Sequence, residues 1–189
     1  MRTLTTVIAL FISITIWSQD FKSTAIYQIT DLKKEINKVT IDMDAEVPLF
    51  LSKDGETITK ITDFYQEDLN DFLDVSIEVL NNPNLSNVNA IIKVEFEFLR
   101  GCSEFESYYY IQSKDGLYIE LPILDYAQCE YPTSKIAYVF PTQKFGVENT
   151  ILKTRSFLNE DASTESIDQL KQIVWEERDQ IEYTFNYEN

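Results

Sequence analysis

The stretch Ile92-Lys93-Val94-Glu95-Phe96-Glu97-Phe98 decides the fold, because apolar residues alternate with charged ones along its whole length. Period-two alternation marks a β-strand, whose successive side chains point to opposite faces. Two further runs follow, 105–112 and 117–124, separated by Ser113-Lys114-Asp115-Gly116. A three-residue loop over 114–116, with Gly116 in the left-handed conformation, sets Ser113 opposite Leu117. Tyr110 then faces Glu120, Ile111 faces Ile119 and Tyr109 faces Leu121. The connection 100–104 admits Phe98 opposite Phe105, which brings Val94 against Tyr109 and Ile92 against Ile111.

In that register one face of the three strands is greasy, with Tyr109, Ile111, Ile119, Leu121 and Ile123. The other gathers Tyr108, Tyr110 and Tyr118 with Glu95, Glu97, Glu106 and Glu120, and is the candidate binding face. Tyrosine rings offer flat apolar area with a polar tip, which suits sugar stacking or protein contact. Carboxylates beside them add hydrogen-bond acceptors or attract a cationic group. The same residues would equally suit a pleated surface covered by a helix.

The hairpin arithmetic also places the two cysteines. Extended along the same pairing, Cys102 lies against Gln128, next to Cys129, so an oxidising compartment would join them. There is no Cys-x-x-Cys, and the bridge reads as a structural staple.

Working outward, Ser52-Lys53-Asp54-Gly55 repeats the turn tetrapeptide between apolar runs at 48–51 and 57–61, a second hairpin signal. Val39, Ile41 and Met43 alternate with Thr40 and Asp42, a period-two strand signal, and 24–30 is a weaker strand candidate. Residues 134–140 are apolar on both sides and read as a central strand. Residues 150–158 and 181–187 complete the strand set. Two helices are expected, over about 63–80 and 164–178. The first is marked by a stripe of Tyr65, Leu69, Phe72, Leu73, Ile77 and Leu80. The second is marked by a capping box, Ser166 with Gln169, before Ile167, Leu170, Ile173 and Val174. Trp175 is expected to pack helix on sheet. The pattern predicts an α+β fold: a mostly antiparallel β-sheet, a meander of hairpins, with two helices packed on it.

The amino end sets location. Met1-Arg2 is followed by uncharged, mostly apolar residues 4–17 and then Ser18-Gln19. A short basic start, a greasy run and a small residue describe a secretory signal peptide at 1–18, cleaved after Ser18. The run is short for a bilayer span, so no stable membrane insertion is expected after its removal. Residues 19–189 then form a single acidic domain that is secreted or periplasmic.

Charge and composition restrict function further. The 189 residues carry 16 Lys+Arg, 32 Asp+Glu and no histidine, a net charge of −16. Losing 1–18 removes Arg2 and no acid, so the exported chain sits near −17. Such a charge repels nucleic acid and anionic membranes. Without histidine there is no Ser-His-Asp triad, imidazole zinc site or imidazole pH switch. Asp42, Asp44 and Glu46 alternate but lack the glycine and spacing of a calcium loop. Neither cofactor nor metal is expected. The sequence therefore points to a non-catalytic binding or interaction domain with a protein or carbohydrate partner. The alternatives are a carboxylate-based hydrolase such as a glycosidase, using a pair among Glu95, Glu97, Glu106 and Glu120, and a structural or assembly protein that pairs through an edge strand such as 181–187.

Overall fold

The computed structural model describes residues 19–29, 46–129, 133–158 and 164–175. The leader at 1–18, the strand at 39–43 and the strand at 181–187 lie outside them.

The centre of the molecule is the hairpin of β6 (Val88–Leu99) and β7 (Ser103–Ser113). Around it the main antiparallel sheet adds β5 (Phe72–Asn81) and the short β1 (Lys22–Ser23) on one side. On the other side, β8 (Tyr118–Glu120) and β9 (Leu124–Gln128) both pair with β7, one after the other along its length. A second sheet holds β2 (Tyr27–Ile29), β3 (Val47–Lys53) and β4 (Glu56–Phe64). A third holds β10 (Ser134–Val139), β11 (Thr150–Leu158) and β12 (Thr164–Val174). One short helix, α1 (Gln66–Asp71), precedes β5.

The β2–β4 and β10–β12 sheets lie on opposite faces of the main sheet, giving three layers and two cores. Toward β2–β4, Ile92, Val94, Phe96, Phe98, Tyr108 and Tyr110 meet Leu49, Leu51, Ile61 and Phe64. Toward β10–β12, Ile91, Tyr109, Ile111, Leu121 and Leu124 meet Tyr138, Phe140, Ile151 and Ile173. Ile91 and Ile92, adjacent in sequence, are both fully buried because their faces are covered separately. Each such side chain contributes about 1.5–3 kcal/mol of transfer free energy.

The mainly antiparallel β architecture agrees with the sequence, but the two expected helices do not form. In 63–80 only Gln66–Asp71 is helical, and Phe72–Asn81 is strand. The alternation of Val75, Ile77 and Val79 prevails over the helical stripe, since these β-branched residues pair with β6 and face the first core. Likewise Thr164–Val174 is strand β12, laddered along β11, and the Ser166–Gln169 capping box is not used. Trp175 still serves packing: it rests on the second core and its Nε1 donates to the Ser86 carbonyl at 2.9 Å.

Register shows where turn chemistry is decisive. Tyr110 pairs with Glu120, Ile111 with Ile119 and Gln112 with Tyr118, as the three-residue loop requires. Gly116 adopts φ +88°, while the same tetrapeptide at 52–55 makes a two-residue turn with Asp54 at φ +53° and Gly55 at +84°. The β6–β7 ladder differs from expectation by one residue: Phe98 pairs with Glu104, Val94 with Tyr108 and Ile91 with Ile111. Gly101, at φ +87°, lets the chain reverse over 100–102 alone. Because both faces of this hairpin are buried, alternation does not penalise the slip, and the tight turn selects it. Strand β10, expected to be central, lies at the margin of its three-stranded sheet.

Candidate functional site

The slipped register dismantles the expected tyrosine–acid face. Tyr108 and Tyr110 point toward β2–β4 and are 2% and 1% exposed. They are covered by a sheet rather than a helix, so they offer no platform to a ligand. Tyr118 is half-buried against the same core, and its hydroxyl accepts from Gln112 Nε2 at 2.8 Å. Glu120 is exposed beside Tyr110, at the far end of the hairpin from its turn.

Strand parity divides the acids between the two faces. Glu95 and Glu97 face β10–β12, on the same side as Lys93, whereas Glu106 faces the other way, beside Tyr108. Glu97 accepts from Ser103 Oγ at 2.8 Å. Glu95 is enclosed: its Oε1 meets Lys93 Nζ at 2.8 Å and Lys135 Nζ at 3.5 Å. Its Oε2 accepts from Ser107 Oγ at 2.7 Å and Tyr126 OH at 3.1 Å. Burial alone would raise this carboxyl, but the Lys93 and Lys135 ammonium groups outweigh it and hold the pKa down to about 2. Lys93, 5% exposed by side chain, also meets Glu78 at 3.4 Å. This cluster is an internal ion network that ties β10 to the main sheet. A carboxylate locked in the charged form by four donors has no proton to give and no lone pair free for a base.

The remaining acid, Glu106, stands in a groove that sequence reasoning did not find. Its described walls include Arg100, Glu104, Phe105, Glu106, Asp125 and Tyr126, around a volume of about 360 Å³. Three local features build it. The 100–102 turn presents Arg100; the β7–β9 ladder sets Glu106 beside Asp125; and α1 holds Arg100 through Asp68 and Asp71. Arg100 lies over the Phe98 ring, 4.4 Å from its centroid. From there it meets Asp68 at 2.6 Å, Glu104 at 3.5 Å, Asp71 at 3.6 Å and Glu106 at 3.8 Å. Phe105 and Tyr126 stack at 4.9 Å and 11°.

Four carboxylates thus share one guanidinium, and a fifth, Asp125, stands beside Glu106. Burial pushes the Glu106 carboxyl up; the Tyr108 hydroxyl, donating at 3.0 Å, opposes it, and Asp125 adds to the rise. In the sequence Arg100 lies within the 100–104 connection. The one available signal was a lone arginine beside a turn glycine within an acid-rich hairpin.

The disulfide sits at the groove's end. Cys102 and Cys129 are bonded, with Cα atoms 4.9 Å apart. Ser103 pairs with Gln128, so the cysteines face each other across the ladder, one position from the expected alignment. The shift arises at 121–123, where Pro122 interrupts the strand between β8 and β9. The bridge closes the loop that carries Glu104, Glu106, Asp125 and Tyr126.

Among the described residues no helix is long and apolar enough to cross a membrane, and no group of His, Cys, Asp or Glu side chains is placed to hold a metal ion. Strand β12 pairs only with β11 among them. No family model, curated protein or solved structure matches this chain.

Proposed function

We propose that this chain is an exported, non-catalytic recognition domain that receives a lysine or arginine side chain of a protein partner in the Arg100 groove. The signal-like leader, the disulfide and the acidic composition support the location. One observation carries the site: four carboxylates on a single guanidinium, with Asp125 beside Glu106, whose carboxyl burial and Asp125 push up. An incoming ammonium or guanidinium relieves that repulsion.

The test is fluorescence anisotropy of a labelled Lys/Arg-rich peptide against the oxidised protein. The Glu104→Gln/Asp125→Asn variant is expected to bind at least tenfold more weakly. Asp115→Asn/Glu148→Gln removes the same charge elsewhere and is expected to stay within twofold of the parent. Equal loss in both variants would reduce the effect to net charge and end this proposal.

The groove supports a second reading as well. A half-buried, raised Glu106 beside an exposed Asp125 has the asymmetry of a glycosidase acid–nucleophile pair. Release of nitrophenol from aryl glycosides, with a bell-shaped pH profile abolished by Glu106→Gln, would establish hydrolysis in place of recognition.

A further inference from the structure

At the other end of the β6–β7 hairpin, about eight residues or roughly 26 Å along β7 from the groove, lies a cavity of about 330 Å³. It opens between the end of the main sheet and the β2–β3 edge. Its chemistry inverts that of the groove. In a chain with twice as many acids as bases, none of its described lining residues is Asp or Glu. Instead Lys22 and Lys53 flank Asn81 and Asn89 over a floor that includes Tyr27 and Gln112. Neither lysine is ion-paired with a carboxylate among the described residues. Lys53 Nζ is instead 5.6 Å from the centroid of the Tyr27 ring.

The floor is built rather than adventitious. Gln112 is 9% exposed and fixed from three sides. Its Oε1 accepts from Asn89 Nδ2 at 3.0 Å and Tyr27 OH at 3.4 Å, and its Nε2 donates to Tyr118 OH at 2.8 Å. That network holds the Asn89 carboxamide at the cavity wall. Asn81 contributes another carboxamide.

We infer that this cavity binds a small carboxylate-bearing, polyhydroxylated ligand, an acidic monosaccharide of the uronic acid class. Carboxamides both donate and accept, which matches sugar hydroxyls, and two ammonium groups with no carboxylate partner among the described residues match one ligand carboxylate. The volume lies at the lower end of small-molecule sites, about 300–1,000 Å³. The Tyr27 ring, buried with an ammonium above it, leaves no open platform for a nucleobase. The inference does not depend on the groove.

The experiment is an NMR titration of the ¹⁵N-labelled protein with glucuronate, glucose and sulfate, following the side-chain amides of Asn89 and Gln112. Glucuronate is expected to shift both saturably. Glucose and sulfate should each be at least tenfold weaker, because each lacks half of the match. Lys22→Gln/Lys53→Gln, two changes at the rim, should weaken glucuronate at least tenfold while leaving the backbone spectrum in place. Asp125→Asn should titrate as the parent does. Absence of glucuronate shifts, sulfate binding as tight as glucuronate, or undiminished binding in the double lysine variant would each overturn the assignment.

Discussion

The two faces of the main sheet are equally dry but are held together differently. Toward β2–β4, Phe64, Phe72, Phe96, Phe98 and Tyr108 form a continuous aromatic cluster with centroids 5.1–6.4 Å apart. Toward β10–β12 the upper part is apolar, but the part nearer the hairpin turn holds Lys93, Glu95 and Lys135. The aromatic face asks only for volume and complementary shape. The ionic face must stay complete, because removing one member leaves another charge dehydrated and alone. Equal burial therefore conceals unequal tolerance of change.

The largest expected effect tests the aromatic side. Phe96→Ala should lower unfolding free energy by about 3–5 kcal/mol in urea denaturation, since Phe64, Phe72, Phe98 and Tyr108 cannot all close the void. A loss near that of an exposed site would mean the cluster repacks freely.

The ionic side should show non-additivity. Glu95→Ala should cost about 3–5 kcal/mol by leaving Lys93 with Glu78 at 3.4 Å as its remaining described carboxylate. Lys93→Met/Glu95→Met removes both buried charges and should recover part of that loss, because an apolar pair of similar volume replaces them while Lys135, 32% exposed by side chain, is left without Glu95. Additive losses in this cycle would erase the distinction between the faces.

Acid gives a gentler probe. The Glu95 carboxyl is held down to about 2 in the folded protein, against about 4.3 for an unperturbed Glu. A depressed folded value means that its contribution is complete above the unfolded pKa and is lost as pH falls through the folded one. Stability should therefore decline between about pH 4.3 and 2 by an amount missing from the Lys93→Met/Glu95→Met variant, as chemical denaturation at stepped pH would show. An identical decline in both proteins would remove Glu95 from the acid response.

The smallest effect runs the other way. The Tyr110 hydroxyl is buried without a hydrogen-bond partner among the described residues. Tyr110→Phe should be neutral or stabilising by up to about 1 kcal/mol, because it deletes a dehydrated polar atom and keeps the ring. A clear loss in thermal melting would reveal a partner for that oxygen.

What the sequence disclosed follows the same division between local and distant causes. The 113–117 turn was readable because Asp115-Gly116 carries its own backbone preference, and the cysteine pairing followed from it. The β6–β7 register is not legible, because alternation in 92–98 implies one wet face whereas both faces are covered. Lys93 and Glu95 look like solvent residues in sequence, yet they are buried against each other and Lys135. The helices at 63–80 and 164–178 failed for a related reason. Ile77, like Ile167 and Ile173, satisfies two periods at once, and only neighbouring strands decide between them. The groove depends on Arg100, Asp68 and Asp125, contributed by three separate segments, and no single window contains them.

A hairpin wrapped on both sides makes its two outer coats interdependent. Each rests on alternate residues of the same twelve- and eleven-residue strands, so a shift that improves one seating spoils the other. The protein can diversify its rims and turns cheaply, while the paired ribbon beneath is left with little freedom to drift.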